Sequence, residues 1–471
     1  MGKDLLYVRI AKALEKQIKN KVLSSGDKLP SLRTIKEEYG VSMNTATQAF
    51  LELEKWGLIE SVPRSGFYVS NLTERQLKTP ETSNPSASTV QEEAEQLITK
   101  VYRSLTDTSI TRLSLGVPDH QLVPIAKLNK SLIHSMRNLG GGGTDYEEIQ
   151  GNRKLRKYIA RWSFTWGGDF SEEDFVTTAG SMNAISFCLM ALTKRGDTIA
   201  VESPIYFGIL QLAKSLGLHV LEMPTHPVTG MDLQALKKVV PKIKVCLIVS
   251  NFSNPLGSCM PEAHKKELVS MLAAHDIPII ENDLYGDVYF GDSRPKPCKA
   301  FDMTGNVLWC GSVSKTLAPG YRVGWVAPGK YLAKINHLKL LHSVSSTTIT
   351  QEAIAHFLEN GRYENHLKKM RRTLATNSLH FKRAISAYFP ENTKVSNPQG
   401  GFMLWVELDP KIDTATLYEK AMEHKISIAP GRMFTLQDQF HNCMRISYGQ
   451  QWTAQLESKL KQLGNIAKRM F

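Results

Sequence analysis

GSVSKTLAPGYRVGW, residues Gly311 to Trp325, places one lysine among small hydroxyl residues, seven positions before an arginine, inside an otherwise apolar run. Buried as an ammonium, Lys315 is costly unless a partner or a chemical bond relieves its charge. Schiff-base formation would relieve it. Ser312, Ser314 and Arg322 could supply hydroxyls and a positive charge to a dianion held beside that lysine.

On both sides of this stretch the chain alternates apolar strand-like runs (TIAVE from Thr198, VCLIVS from Val245, IPIIEN from Ile277, NVLWCG from Asn306) with helical patterns of ten residues or more. That alternation predicts an α/β unit with a mostly parallel sheet, whose ligands gather at strand ends. TTAGSMNAI is a small-residue turn entering a helix, able to aim the amides of Ser181 and Met182 at a phosphate. Hydrophobic residues are 42% of the 471 and charged ones 22%, which fits a soluble globular chain of two or three units in the cytoplasm. No apolar run approaches the roughly 20 residues of a membrane helix, and the charged N-terminus is not a secretory signal. The six cysteines show no CxxC spacing and the thirteen histidines no HExxH pattern, so neither disulfides nor a metal site is expected.

The formal charge of +13 hints at an anionic partner and needs a motif beside it. Residues 1–72 supply one. Ile10, Ala13, Leu14 and Ile18 have amphipathic-helix spacing over Tyr7 to Lys21. Ser31 can cap a second helix that Gly40 ends, and Ser42 a third in which Ala46, Ala49, Phe50 and Leu53 share a face. After Gly57, LIES and GFYVS flank the turn PRSG as a two-stranded wing. This unit carries a net charge of only +3, so the basic surface lies largely elsewhere, for example in KKMRR at Lys368 to Arg372. NLTERQLKTPETSNPSAS, from Asn71 to Ser88, is polar with little periodicity and reads as a linker, followed by a helical stretch from Glu95 to Leu105. The expected organisation is a winged helix-turn-helix unit at 1–72, a linker with a helix at 73–108 and a large domain at 109–471.

The first segment, with DKLPSLR before its helix pair and PRSGFYV after it, resembles the winged helix-turn-helix of GntR-family transcription regulators. That resemblance implies double-stranded DNA as partner, with Ser42, Asn44, Thr45 and Gln48 facing the major groove and Arg33 and Arg64 near phosphates. From Leu113 onward, AGSMNA, ESPIYFG, SNPLG, ENDLY, SVSK with Arg322, and MRISY stand in the order found in fold-type I aminotransferases that use pyridoxal 5′-phosphate (PLP). A winged helix-turn-helix linked to such an α/β aminotransferase fold resembles the MocR-type subclass of the GntR family.

The second resemblance implies that Lys315 forms the Schiff base with PLP, that Asn254 and Tyr285 bond the ring 3′ oxygen, and that Tyr206 stacks on the ring. It further implies that Arg445 receives an amino-acid carboxylate and that Tyr146 reaches a phosphate in the neighbouring subunit of a homodimer. One position departs from the family pattern: the acid three residues before the ring-oxygen tyrosine is here Asn282, with Asp283 one step later. Alternation along a strand end favours Asn282 as the residue facing the ring nitrogen, and a register shift would exchange the two. The expected function is transcription regulation in response to PLP or to an amino-acid or amine effector. The alternative is a working aminotransferase with an accessory N-terminal domain.

Overall fold

The computed structural model describes residues 5–62, 65–70, 77–86, 94–104, 107–359 and 361–470. Near the N-terminus, α1 (Leu6–Lys19), α2 (Leu32–Glu38) and α3 (Met43–Lys55) precede a hairpin of β1 (Ile59–Val62) and β2 (Gly66–Val69). Ser31 and Ser42 cap α2 and α3 by accepting from Thr34 N and Thr45 N, each at 3.1 Å. Gly40 makes the turn between them at φ +61°, a backbone state open to glycine at little cost. The stripe Ala46, Ala49, Phe50 and Leu53 is buried against Ile10, Leu14 and Ile18 of α1, and Phe50 meets Phe67 of the wing edge-on at 5.0 Å. This is the expected winged helix-turn-helix.

In the large domain eight strands form one sheet: β3 (Val176–Thr178), β4 (Thr198–Ser203), β5 (His219–His226), β6 (Gly230–Met231), β7 (Val245–Ile248), β8 (Ile279–Asn282), β9 (Val307–Ser312) and β10 (Gly324–Ala327). Their spatial order is β3-β10-β9-β8-β7-β4-β5-β6. β10 runs antiparallel to β3 and β9, β6 is a hairpin return from β5, and the other neighbouring pairs are parallel. The central strands are buried along their length, as a sheet covered on both faces requires. Their carboxyl ends place Ser203, Asn282 and Ser312 along one edge.

Residues 77–86 have no regular structure but are not a free tether. Val395 N donates to Lys78 O at 2.8 Å, Ser83 Oγ donates to Ser203 O at 2.6 Å, and Ser86 N donates to Gln437 Oε1 at 2.8 Å. Composition alone shows no such anchoring, because the partners lie more than a hundred residues away in sequence. The expected helix is α4 (Glu95–Ser104), and Leu105 falls outside the described residues.

A 27-residue helix, α5 (Arg362–Tyr388), joins the two domains mechanically. Near its start Tyr363 donates to Thr316 Oγ1 at 2.9 Å, next to Lys315. Near its end Arg383 donates to Gly57 O at 2.7 Å and to Ser70 Oγ, and pairs with Glu60 at 3.5 Å. Burial at this junction raises the Glu54 carboxyl, opposed by the charges of Arg372 and Arg383.

Candidate functional site

At the carboxyl edge of the sheet lies a cavity of about 280 Å³. Its wall includes Ser181, Met182, Tyr206, Asn254, Asn282, Tyr285, Ser314, Lys315, Arg322 and Arg445, drawn from loops after β3, β4, β7, β8 and β9 and from a distant C-terminal strand. Ser312 is not on this wall. Its hydroxyl caps the turn that carries the lysine, accepting from Ser314 N at 3.0 Å and donating to Val323 O at 2.8 Å. That hydroxyl thereby shapes the turn that presents Ser314 and Lys315. Tyr146 is also absent from the wall and is 85% exposed.

Lys315 lines the cavity, where its amine donates to Gly116 O. Burial, reinforced by the charges of Arg445 and Arg322, pulls its pKa down to about 7. The amine is thus about half neutral near pH 7 and mostly neutral a unit above it. Arg322, at φ +53°, donates to Ala179 O at 2.9 Å and to Pro319 O at 3.1 Å, which sets its guanidinium against the start of helix Ser181–Leu192. A Cβ on Gly180 would lie 2.4 Å from Arg322 Nη2, so glycine is what lets the cation and the helix amides converge. Convergent amides, the Ser314 hydroxyl and a guanidinium make an anion cradle.

Across the cavity Arg445 is 3% exposed. It donates to Asn254 Oδ1 at 2.9 Å and to Ser114 O, while its Nε has no partner. Among the described residues no carboxylate lines the wall, so two guanidinium groups and the Lys315 amine share a cavity with no opposing charge of its own. Asn282 Oδ1 and the Tyr285 hydroxyl are likewise buried without a hydrogen-bond partner, and burial pushes Tyr285 up to about 12. Unpartnered buried polar atoms call for an explanation, and those of Asn282, Tyr285 and Arg445 converge on this one cavity.

The pair at the end of β8 separates cleanly. Asn282 lines the cavity, whereas Asp283 points behind it, accepting from Arg294 Nη2 at 2.6 Å, Trp309 Nε1 at 2.9 Å and Asn251 Nδ2 at 3.0 Å. With three donors Asp283 is fully engaged, and adjacent side chains on extended backbone face opposite ways.

Sequence reasoning missed Ser114, Gly116 and Tyr102. The first two act through backbone carbonyls, which leave no residue-type signal, and Tyr102 stands on α4, outside every motif considered. Among the described residues no cluster of His, Cys, Asp or Glu could hold a metal, and all six cysteines are free.

On the DNA-binding domain Arg33, Ser42 and Asn44 are exposed, and Thr45 is half-buried. Ser42 and Thr45 bond each other's hydroxyls at 2.9 Å in the cap, which leaves Asn44 as the freer side chain at the start of α3. Gln48 instead lines a crevice between α3 and α5, beside Lys368, Arg371 and Arg372. In this arrangement the C-terminal half of α3 docks on the large domain and takes Gln48 with it. Arg64 lies outside the described residues.

Fold and cavity together define a winged-helix DNA-binding domain fused to an aminotransferase-type domain. Residues 108–461 match the family model for aminotransferase class I and II, and residues 6–69 match that for bacterial regulatory proteins of the gntR family. The chain is 35% identical over 469 residues to the HTH-type transcriptional regulator YjiR of Escherichia coli, covering 98% of this chain and 99% of that one. It is also 35% identical to YdcR of the same organism, over 98% of each chain. Among solved structures, the α-aminoadipate aminotransferase LysN of Thermus thermophilus superposes with a TM-score of 0.74 at 24% identity, over 79% of this chain and 95% of that one. The Pyrococcus horikoshii kynurenine aminotransferase gives the same TM-score at 25% identity, over 80% and 95%. The chain belongs to the aminotransferase class I and II family and, over its full length, to the GntR-type HTH transcription regulators built on that domain, the MocR-type arrangement.

Proposed function

We propose that this chain is a dimeric, cytoplasmic transcription regulator that holds PLP in the Lys315 cavity and alters its grip on DNA when an amino acid or amine enters the same cavity. The observation that carries this reading is the cavity's unanswered chemistry: two guanidinium groups and a basic amine with no carboxylate among the described wall residues, and orphaned atoms on Asn282, Tyr285 and Arg445. These residues fit PLP. The amides of Ser181 and Met182, with Ser314 and Arg322, would hold the phosphate; Asn282 would face the ring nitrogen; Asn254 and Tyr285 would face the ring oxygen; Tyr206 would cover the ring.

When bound, PLP supplies an aldehyde that condenses with primary amines and a ring that withdraws electrons. Lys315, uncharged above about pH 7, offers the amine that anchors it. Arg445 orients a carboxylate by charge-assisted hydrogen bonds. Asn282 can donate or accept at the ring nitrogen but brings no negative charge to keep that nitrogen protonated, which suits binding and release better than turnover. Tyr146 is exposed and does not line its own cavity, which leaves it available to a second subunit.

A dimer presents two winged helices, and an effector that favours one arrangement of them shifts DNA affinity. The test is footprinting of the full-length holoprotein on genomic fragments, with and without amino acids, beside an assay of amino-group transfer. Sequence-selective, salt-sensitive protection is expected. Rapid amino-group transfer with no preference for any fragment would instead support an aminotransferase with an accessory domain.

A further inference from the structure

We infer that the effector class is the α-amino acids with an uncharged, apolar side chain, and that Tyr102 on α4 is the residue that selects it; the inference rests on the PLP-sensor reading above. Once Arg445 takes a carboxylate, Lys315 the amine position and Arg322 the phosphate, every charged group on the wall is used. Beyond the residues set against PLP, and apart from Ser114 and Gly116, whose carbonyls hold Arg445 and Lys315, what remains is apolar or aromatic and includes Val101, Tyr102, Val117, Phe207, Leu284 and Met433. Among the described wall residues of this subunit an acidic side chain finds no further cation. A basic side chain finds no carboxylate to pair with among the described wall residues, so its ammonium would be desolvated without a partner. An apolar side chain gains from every surface it meets.

Tyr102 is set to close this apolar region. Its hydroxyl lies 3.1 Å from the Tyr206 hydroxyl, and its ring meets Phe207 edge-on at 5.4 Å and 86°. At 45% exposure it stands at the mouth, half on the cavity and half on solvent. Its position is not left to the loop. Val101 beside it is 2% exposed, Lys100 pairs with Glu419 and Lys214 with Glu95, each at 2.7 Å, and Tyr418 donates to Lys100 O at 3.2 Å. Tyr102 also lies outside the residues 108–461 matched by the aminotransferase family model. It belongs to the stretch between the two domains, so a ligand that touches it touches that stretch.

The test uses the full-length holoprotein, titrated with L-leucine, L-phenylalanine, L-alanine, L-glutamate and L-lysine, following the cofactor's visible absorbance and, in parallel, DNA affinity by fluorescence anisotropy. Leucine and phenylalanine are expected to bind at least about tenfold more tightly than glutamate or lysine. Tyr102→Ala is expected to cost phenylalanine about tenfold while changing alanine less than about twofold. Tyr102→Phe, which keeps the ring and removes only the hydroxyl, is expected to retain the preference and shows that the fold is intact. Glutamate or lysine binding as tightly as leucine would overturn the inference while leaving the sensor reading standing. So would a phenylalanine-to-alanine ratio unmoved by Tyr102→Ala. No absorbance or DNA response to any amino acid would overturn both.

Discussion

Replacing Arg445 by methionine separates two quantities that a buried arginine usually confounds, affinity for a ligand and stability of the fold. The guanidinium makes two hydrogen bonds, to Asn254 Oδ1 at 2.9 Å and to Ser114 O, and leaves its Nε without a partner. Hydrogen bonds to a charged group contribute about 1.5–3 kcal/mol each. Against them stands the desolvation of a cation with no carboxylate beside it, an effective penalty of several kcal/mol. The two nearly cancel, so Arg445→Met should leave the unfolding free energy within about 2 kcal/mol of wild type. Ligand affinity should respond very differently. Losing one partner of a buried charge pair costs about 2–5 kcal/mol, and 3 kcal/mol is roughly a hundredfold in Kd.

The comparison that isolates this term is L-leucine against 3-methylbutylamine, the same side chain without the carboxylate. Spectral titration of wild type and variant should show leucine weakened by about a hundredfold and the amine by less than about threefold. Equal losses for the two ligands would show that Arg445 does not receive the carboxylate. Because Arg445 is also the largest charge holding down Lys315, the lysine's pKa should rise in the variant.

With its pKa lowered from 10.5 to about 7, Lys315 should take up added PLP at a rate that climbs with pH to about 7 and then levels, because only the neutral amine reacts. A climb continuing to pH 10 would contradict that environment. By linkage, the unfolded lysine keeps its proton between about 7 and 10.5 while the folded one does not, so apoprotein stability measured by denaturant should rise with pH across that window. Asn282→Asp should convert a slow or absent amino-group transfer into a measurable one, seen as pyridoxamine phosphate formation; an equal effect from Asp283→Asn would place the wrong residue at the ring. Arg33→Ala should weaken DNA binding across sequences and reduce the salt slope by about one, whereas Asn44→Ala should blunt sequence preference, both read by anisotropy on specific and random duplexes.

The winged helix and the mostly parallel sheet were legible because their signals are local. Ser31 and Ser42 act on amides three residues away, and the buried stripe Ala46, Ala49, Phe50 and Leu53 follows one helical period. Alternation along β8 likewise bears on Asn282 and Asp283 without knowledge of their partners. Contacts set by docking were not legible. Gln48 shares a helix with Asn44, yet its neighbours come from α5, some 320 residues away. The spacing of Ser312 and Ser314 could not show that one hydroxyl would turn back to cap the lysine's own turn. Tyr102 gave no signal because its partners, Tyr206 and Phe207, lie about a hundred residues on.

The central claim is that the Lys315 cavity and the winged helix are energetically linked, through elements such as α5 that touch both Thr316 and the base of the wing. It is tested most directly by the equilibrium affinity of full-length protein for its footprinted DNA, measured at one fixed salt concentration with and without saturating L-leucine, for wild type and Lys315→Ala side by side. Coupling between sites of about 1–3 kcal/mol predicts a change of at least about fivefold on adding leucine to the PLP-loaded wild type, and none in the variant. A wild-type affinity unmoved by leucine or any other amino acid, or the same shift in Lys315→Ala, would contradict the account.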